Sequence, residues 1–141
     1  MLKEFIVPYI VILVLFLVID LPVILYLNKD MYQKQFNRIN KGNIKTGAHI
    51  WISGAIAYLL LALGIYFFVV KQELVNDNLN YFNIFTNGSV LGLIIYGIYN
   101  GTNKATINEW GNKESIIDTI WGTILSGSLA VSSVYITKKI N

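Results

Sequence analysis

Residues 5–27 read FIVPYIVILVLFLVIDLPVILYL, and Asp20 is the only charged side chain among them. A bilayer core needs about 20 consecutive apolar residues in a helix, and this run supplies them. It has no small-residue cleavage site, and the apolar core of a cleavable signal is shorter, so it reads as a retained helix. Pro8 sits in the first turn, where a missing amide is tolerated. Pro22 should kink the helix or end its regular winding close to Asp20, leaving carbonyls that need other partners.

Working outward, three further segments fit the same length. The expected helices cover 5–27, 48–70, 84–103 and 116–137 in an all-α, four-helix membrane bundle forming one domain. The composition agrees. Of 141 residues, 55% are hydrophobic and 13% charged, about half the charged share of an average soluble domain. A water-soluble chain this small could not hide so much apolar surface. Cysteine is absent, which excludes disulfides and thiolate metal sites. The formal charge of +3 is too small to argue for nucleic acid.

The first connection holds Lys29, Lys34, Arg38, Lys41 and Lys45 against one acid, Asp30. Within it Tyr32, Phe36 and Ile39 recur at helical spacing opposite the cations. That pattern suits a short amphipathic helix on the headgroups, or an ordinary basic loop that sets orientation. With Lys104 and Lys113 of the third connection, these residues outnumber Lys3, Lys71, Lys138 and Lys139 at the other end. The positive-inside rule then expects the first and third connections in the cytoplasm and both termini outside.

Polar side chains gather at one end of the four spans. Asp20 lies roughly 10 Å from the end of the first helix at ~1.5 Å per residue. His49 and Trp51 open the second, Tyr96, Tyr99, Asn100 and Asn103 close the third, and Asp118, Thr119 and Trp121 open the fourth. All four ends share one membrane face. An ionised group in lipid costs several kcal/mol, so Asp20 should face the bundle interior with a partner or be protonated. Its candidate partners are Tyr96, Tyr99, Asn100, the Trp121 indole, and the rim cations Lys104 and Lys45. Ser115-Ile-Ile-Asp118 fits a capping box in which Ser115 caps the fourth helix and Asp118 reaches back to a free amide. Trp51, Trp110 and Trp121 fit an interfacial aromatic belt. A lone histidine without cysteine makes no metal site, and no cofactor is expected.

Gly88 and Gly92 form a GxxxG step, as do Gly97 and Gly101, and Gly122, Ser126 and Ala130 keep the same interval. Small residues so spaced let helix backbones approach closely. They suit packing of the third helix on the fourth within one chain, or a homo-oligomer contact.

Three stretches are familiar as a set: Asp20-Leu21 followed by Met31-Tyr32-Gln33-Lys34-Gln35; Tyr96-Gly-Ile-Tyr99-Asn100-Gly-Thr-Asn103-Lys-Ala105-Thr106; and Asp118-Thr-Ile-Trp121-Gly122. Together they resemble domain of unknown function family 2177, small predicted four-span membrane proteins found mostly in bacteria. The resemblance runs over nearly the whole chain and implies no established activity. Genes of that family often lie near lipid-modifying enzymes such as cyclopropane-fatty-acid synthases, which implies a lipid-related role. This chain has Pro22 where the family usually has an aromatic residue, and Tyr99-Asn100 where it usually has Tyr-Asp. The membrane expected is a cell membrane, or a viral or host membrane if the source is a large DNA virus.

These observations leave a one-leaflet polar pocket of Asp20, Tyr96, Tyr99, Asn100, Asn103, Asp118 and Trp121. Its expected ligand is a membrane lipid headgroup or small amphiphile. The rivals are a lipid-modifying enzyme with Asp20 as general acid or base, and a structural or assembly component. A proton or solute conduit needs polar groups through both leaflets, and the far one offers only hydroxyls such as Ser126, Ser128 and Ser132.

Overall fold

In the computed structural model, which describes residues 2–42 and 47–140, the first apolar run forms α1 (Leu2–Pro22). Pro22 has no amide hydrogen to give to the preceding turn. Directly after it the winding widens into a π-helical turn, Val23–Leu27, in which the Asn28 N–H reaches the Val23 carbonyl at 2.8 Å. A surface helix, α2 (Lys29–Asn40), follows, so these residues of the first connection form a helix and not a loop. It ends where Lys41 takes a positive φ of 49° and the Gly42 N–H bonds the Asn37 carbonyl, a left-handed close of the Schellman kind.

The second span is α3 (Ala48–Ile65), continued by a π turn (Tyr66–Val70) and a last helical turn, α4 (Lys71–Leu74). The third and fourth are α5 (Tyr81–Thr106) and α6 (Asn112–Ile140). Both begin earlier and end later than the apolar patterns over 84–103 and 116–137 mark, because polar residues continue the helices into the interface. Asn80 starts α5 with its side chain, accepting from the Asn83 N–H at 3.1 Å. Four helices are therefore long and apolar enough to cross a membrane, and no strand occurs among the described residues.

α6 is the central helix. Buried positions make up 44% of its apolar window, against 17–22% for the other three. Lipid is as apolar as leucine, so helices in a bilayer associate through close packing more than through escape from solvent. Gly122, Ser126, Gly127, Ala130 and Ser133 keep α6 thin enough for that. Gly88 and Gly92 of α5 sit on it so closely that a Cβ on Gly88 would stand 2.8 Å from the Ser126 carbonyl, and one on Gly92 2.6 Å from Ser126 Oγ. By contrast, Gly97 and Gly101 face open space, so only the first glycine pair joins α5 to α6.

Below the polar end, Ile12 and Phe16 of α1, Ile65 of α3, Val69 of the π turn after it, and Leu125 and Leu129 of α6 belong to the core. The opposite surfaces of α1, α3, the π turn after α3 and α5 present Val18, Leu60, Phe68 and Ile98 outward. Apolar surface on that scale marks contact with lipid.

Candidate functional site

Asp118 and Trp121 are one turn apart on α6 and so lie on the same side of that helix. Each anchors a different polar cluster. The Trp121 indole N–H donates to Asp20 Oδ1 at 2.8 Å, and the Tyr58 hydroxyl donates to Asp20 Oδ2 at 2.6 Å. Asp20 is buried, and the Phe16 ring lies edge-on to Tyr58 with centroids 4.8 Å apart. An ionised carboxylate only accepts, and here each oxygen has a neutral donor. The cluster ties α1, α3 and α6 together.

Trp121 was among the partners expected for Asp20; Tyr58 was not. Tyr96, Tyr99 and Asn100 do not bond it, and Lys104 instead donates to the Trp110 carbonyl at 2.8 Å. Lys45 lies outside the described residues.

The second cluster centres on Asp118. Its Oδ1 accepts from the Tyr32 hydroxyl of α2 at 2.7 Å, and its Oδ2 from the Asn100 amide of α5 at 2.7 Å. The same Asn100 nitrogen reaches the Tyr96 carbonyl at 3.0 Å, while Asn100 Oδ1 accepts from the Trp110 indole at 3.3 Å. Asn100 and Trp110 are both buried.

Two expectations are corrected by this arrangement. The capping box fails because α6 starts at Asn112, so Ser115 already lies inside it and donates to the Gly111 carbonyl. Asp118 is thereby freed to serve α2 and α5. Trp110 does not belong to an exposed belt; its N–H is drawn inward by the buried Asn100 amide, and its ring meets Tyr99 edge-on at 5.6 Å.

Between α2, α5 and the start of α6 lies a cavity of about 60 Å³. Tyr32, Gln35 and Phe36 form its α2 wall, with Tyr99 and Asn100 opposite. Trp110, Glu114 and Asp118 complete it. Arg38 closes the rim with an ion pair to Glu114 at 2.9 Å. Gln35 is only 4% exposed, and its side-chain oxygen has no hydrogen-bond partner among the described residues.

Of the seven residues expected to form one pocket, Tyr99, Asn100 and Asp118 line this cavity. Asp20 and Trp121 form the separate cluster, Tyr96 lies with its ring against Gly122, and the Asn103 carbonyl accepts the Ile107 N–H that closes α5. His49 is exposed, and no group of three metal-ligating side chains occurs among the described residues. Sequence reasoning missed Tyr32, Gln35, Phe36, Trp110 and Glu114 as wall residues. The signal for Tyr32 was present in its spacing from Phe36 and Ile39; nothing in the local pattern marks Gln35 as buried.

Tyr32 also fixes α2 to the bundle. Burial, then the Asp118 charge and the hydrogen bond to it, push the Tyr32 hydroxyl well above its ordinary value. It therefore stays protonated and a donor even beyond pH ~10, where a free tyrosine titrates. A hydrogen bond to a charged group contributes about 1.5–3 kcal/mol. Tyr32→Phe is therefore expected to speed tryptic cleavage within α2 about tenfold or more in detergent, with the four spans still folded. An unchanged cleavage rate would show that α2 is held by other contacts.

A family model described as "Predicted membrane protein (DUF2177)" matches residues 5–135. Neither a curated protein nor a solved structure matched the chain. The family match covers all four spans, both polar clusters and the cavity between α2, α5 and α6. The chain belongs to the DUF2177 family of predicted membrane proteins.

Proposed function

We propose that this membrane protein binds a lipid headgroup, or the polar end of a small amphiphile, in the cavity under α2. The observation that carries the proposal is a cavity lined by Gln35, Asn100, Glu114 and Asp118 among aromatic rings, at one end of four helices long and apolar enough to cross a membrane. A ligand there keeps its tails in lipid and its head among Tyr32, Asn100 and Asp118. Lys29, Lys34 and Arg38 on the exposed side of α2 suit an anionic interface.

Binding is favoured over catalysis by Asp20. Asp20 is buried between α1, α3 and α6 and does not border the cavity, whereas Asp118 does. We also infer that α2 faces the cytoplasm, from the excess of Lys and Arg in the first and third connections. A cysteine introduced at Gly42 of this cysteine-free chain should then react with reagents added from the cytoplasmic side; reaction only from outside reverses the orientation.

Native mass spectrometry of the full chain, released gently from detergent, tests the binding. The expected spectrum has one retained lipid per chain, with retention falling about tenfold in Asp118→Ala. A spectrum without adducts at any detergent concentration that keeps the chain folded would end the proposal.

A further inference from the structure

The walls of the cavity do not suit every headgroup equally. Asp118 receives hydrogen bonds only from neutral groups, Tyr32 and Asn100, and no basic side chain of the described residues lies within ion-pair distance of it. The other wall carboxylate, Glu114, is already paired with Arg38. Gln35 adds a buried oxygen with no donor, and a buried acceptor left unpaired carries a desolvation penalty. Tyr99 and Trp110 add aromatic rings in edge-to-face contact. The cavity thus combines one carboxylate without a counter-cation, one unused acceptor and a pair of rings.

A group with both positive charge and N–H donors satisfies all three. We propose that the cavity selects a primary ammonium, the terminal group of an ethanolamine-type phospholipid. The inference rests on the headgroup-binding proposal above and names the chemistry of its ligand. One N–H of the ammonium faces Asp118, a second the Gln35 oxygen, and the charge lies against the aromatic rings, which attract cations through their quadrupole.

A quaternary ammonium keeps the charge but offers no N–H to Gln35, and a glycerol headgroup offers hydroxyls but no charge to Asp118. Size agrees with a terminal group entering alone. At the ~15 Å³ that one water-sized group requires, the cavity of about 60 Å³ admits an aminoethyl end and leaves the phosphate outside. Arg38 at the rim and Lys34 on the same helix are the cations nearest in sequence to receive that phosphate.

The experiment uses the full chain in detergent, offered equal amounts of phosphatidylethanolamine, phosphatidylcholine and phosphatidylglycerol with identical acyl chains. Retained lipid is read by native mass spectrometry. The expected result is at least tenfold preference for phosphatidylethanolamine, with Gln35→Leu bringing phosphatidylcholine near parity while phosphatidylglycerol stays disfavoured at Asp118. That substitution replaces an unpaired buried acceptor by an apolar group of similar size, so thermal unfolding should remain close to wild type.

Equal retention of the three lipids overturns the ammonium assignment and leaves headgroup binding standing. Retention of none overturns both. Free ethanolamine at millimolar concentration is the separate arm. If it binds in a Gln35-dependent way while the phospholipid does not, the lipid source is overturned. If it competes with phosphatidylethanolamine, both parts are supported. Gln35→Glu keeps an acceptor at this position and should retain the preference; its loss there, with the chain folded, would overturn the role given to the Gln35 oxygen.

Discussion

Gly92→Val is expected to remove the folded bundle under conditions where the wild-type chain survives, a loss of about 3 kcal/mol or more. Two opposing terms decide the outcome. Glycine inside a helix is worse than alanine by ~1 kcal/mol in propensity, so a side chain at this position would help an isolated helix. Against that, a Cβ on Gly92 would run into the Gly122 carbonyl oxygen and stand 2.6–2.7 Å from the Ser126 side chain. A carbonyl on the partner helix cannot turn aside as a flexible side chain can, so α5 and α6 must separate.

Overpacking a tight core typically costs about 1–3 kcal/mol and occasionally more. Valine adds two methyl groups to a clash that alanine already makes. Because α6 is the helix against which α1, α3 and α5 all assemble, separation at this crossing also loosens both polar clusters. Gly97→Ala is the matched control. Nothing lies within 4 Å of its Cβ position, so propensity alone acts and the variant should equal or exceed wild type. Unfolding in mixed detergent, followed by tryptophan fluorescence, reads both. Equal stability of Gly92→Val and Gly97→Ala would mean that α5 and α6 do not cross where the structure has them.

That contrast also shows how far the sequence could be read. The two GxxxG steps look alike on paper, since the same residue type recurs at the same interval. They differ only in what stands opposite, and that depends on the crossing point. The spans themselves were legible because length and apolar content are set by bilayer thickness, whatever the tertiary arrangement. The need of Asp20 for a partner was legible from its depth, and Trp121 was found. Tyr58 was not, because α3 is apolar all round and offers no periodicity that separates an inward face from a lipid-facing one.

The cavity was the least visible feature. Its α2 wall depends on a glutamine that looks like any surface glutamine on a polar helix. Its α6 wall depends on that helix starting at Asn112, where polar residues hide the start of a membrane span. Asp118 stood out as a carboxylate near the start of the fourth span, yet its local sequence context pointed to a capping role. Capping patterns are short-range and cannot register Tyr32 and Asn100, which come from helices distant in sequence.

Asp20→Ala is the second large effect expected, and it separates structure from chemistry. The substitution leaves the Tyr58 hydroxyl and the Trp121 indole N–H without their acceptor inside the bundle. A buried donor left unpaired costs about 1–3 kcal/mol. Interhelical hydrogen bonds measured in membranes average ~0.6 kcal/mol and reach ~1.7, because a chain unfolded within the bilayer finds other partners. Two stranded donors near the upper end of that range give about 3 kcal/mol for Asp20→Ala.

Replacing the whole cluster should behave differently. The triple variant Asp20→Leu, Tyr58→Phe, Trp121→Phe removes donors and acceptors together, and apolar replacement of a complete buried polar group is often neutral or stabilising. It is therefore expected within about 1 kcal/mol of wild type, far above the sum of the single effects, as residues in one hydrogen-bonded network should be. Thermal unfolding of wild type, the three single variants and the triple variant in one detergent checks this, and additive losses would mean that the three side chains are not coupled. Headgroup retention supplies the functional half of the test. Asp20 does not border the cavity, so the folded triple variant should hold lipid as wild type does. If retention disappears with stability intact, Asp20 belongs to the binding site after all, and a chemical role for its carboxyl group becomes the better account.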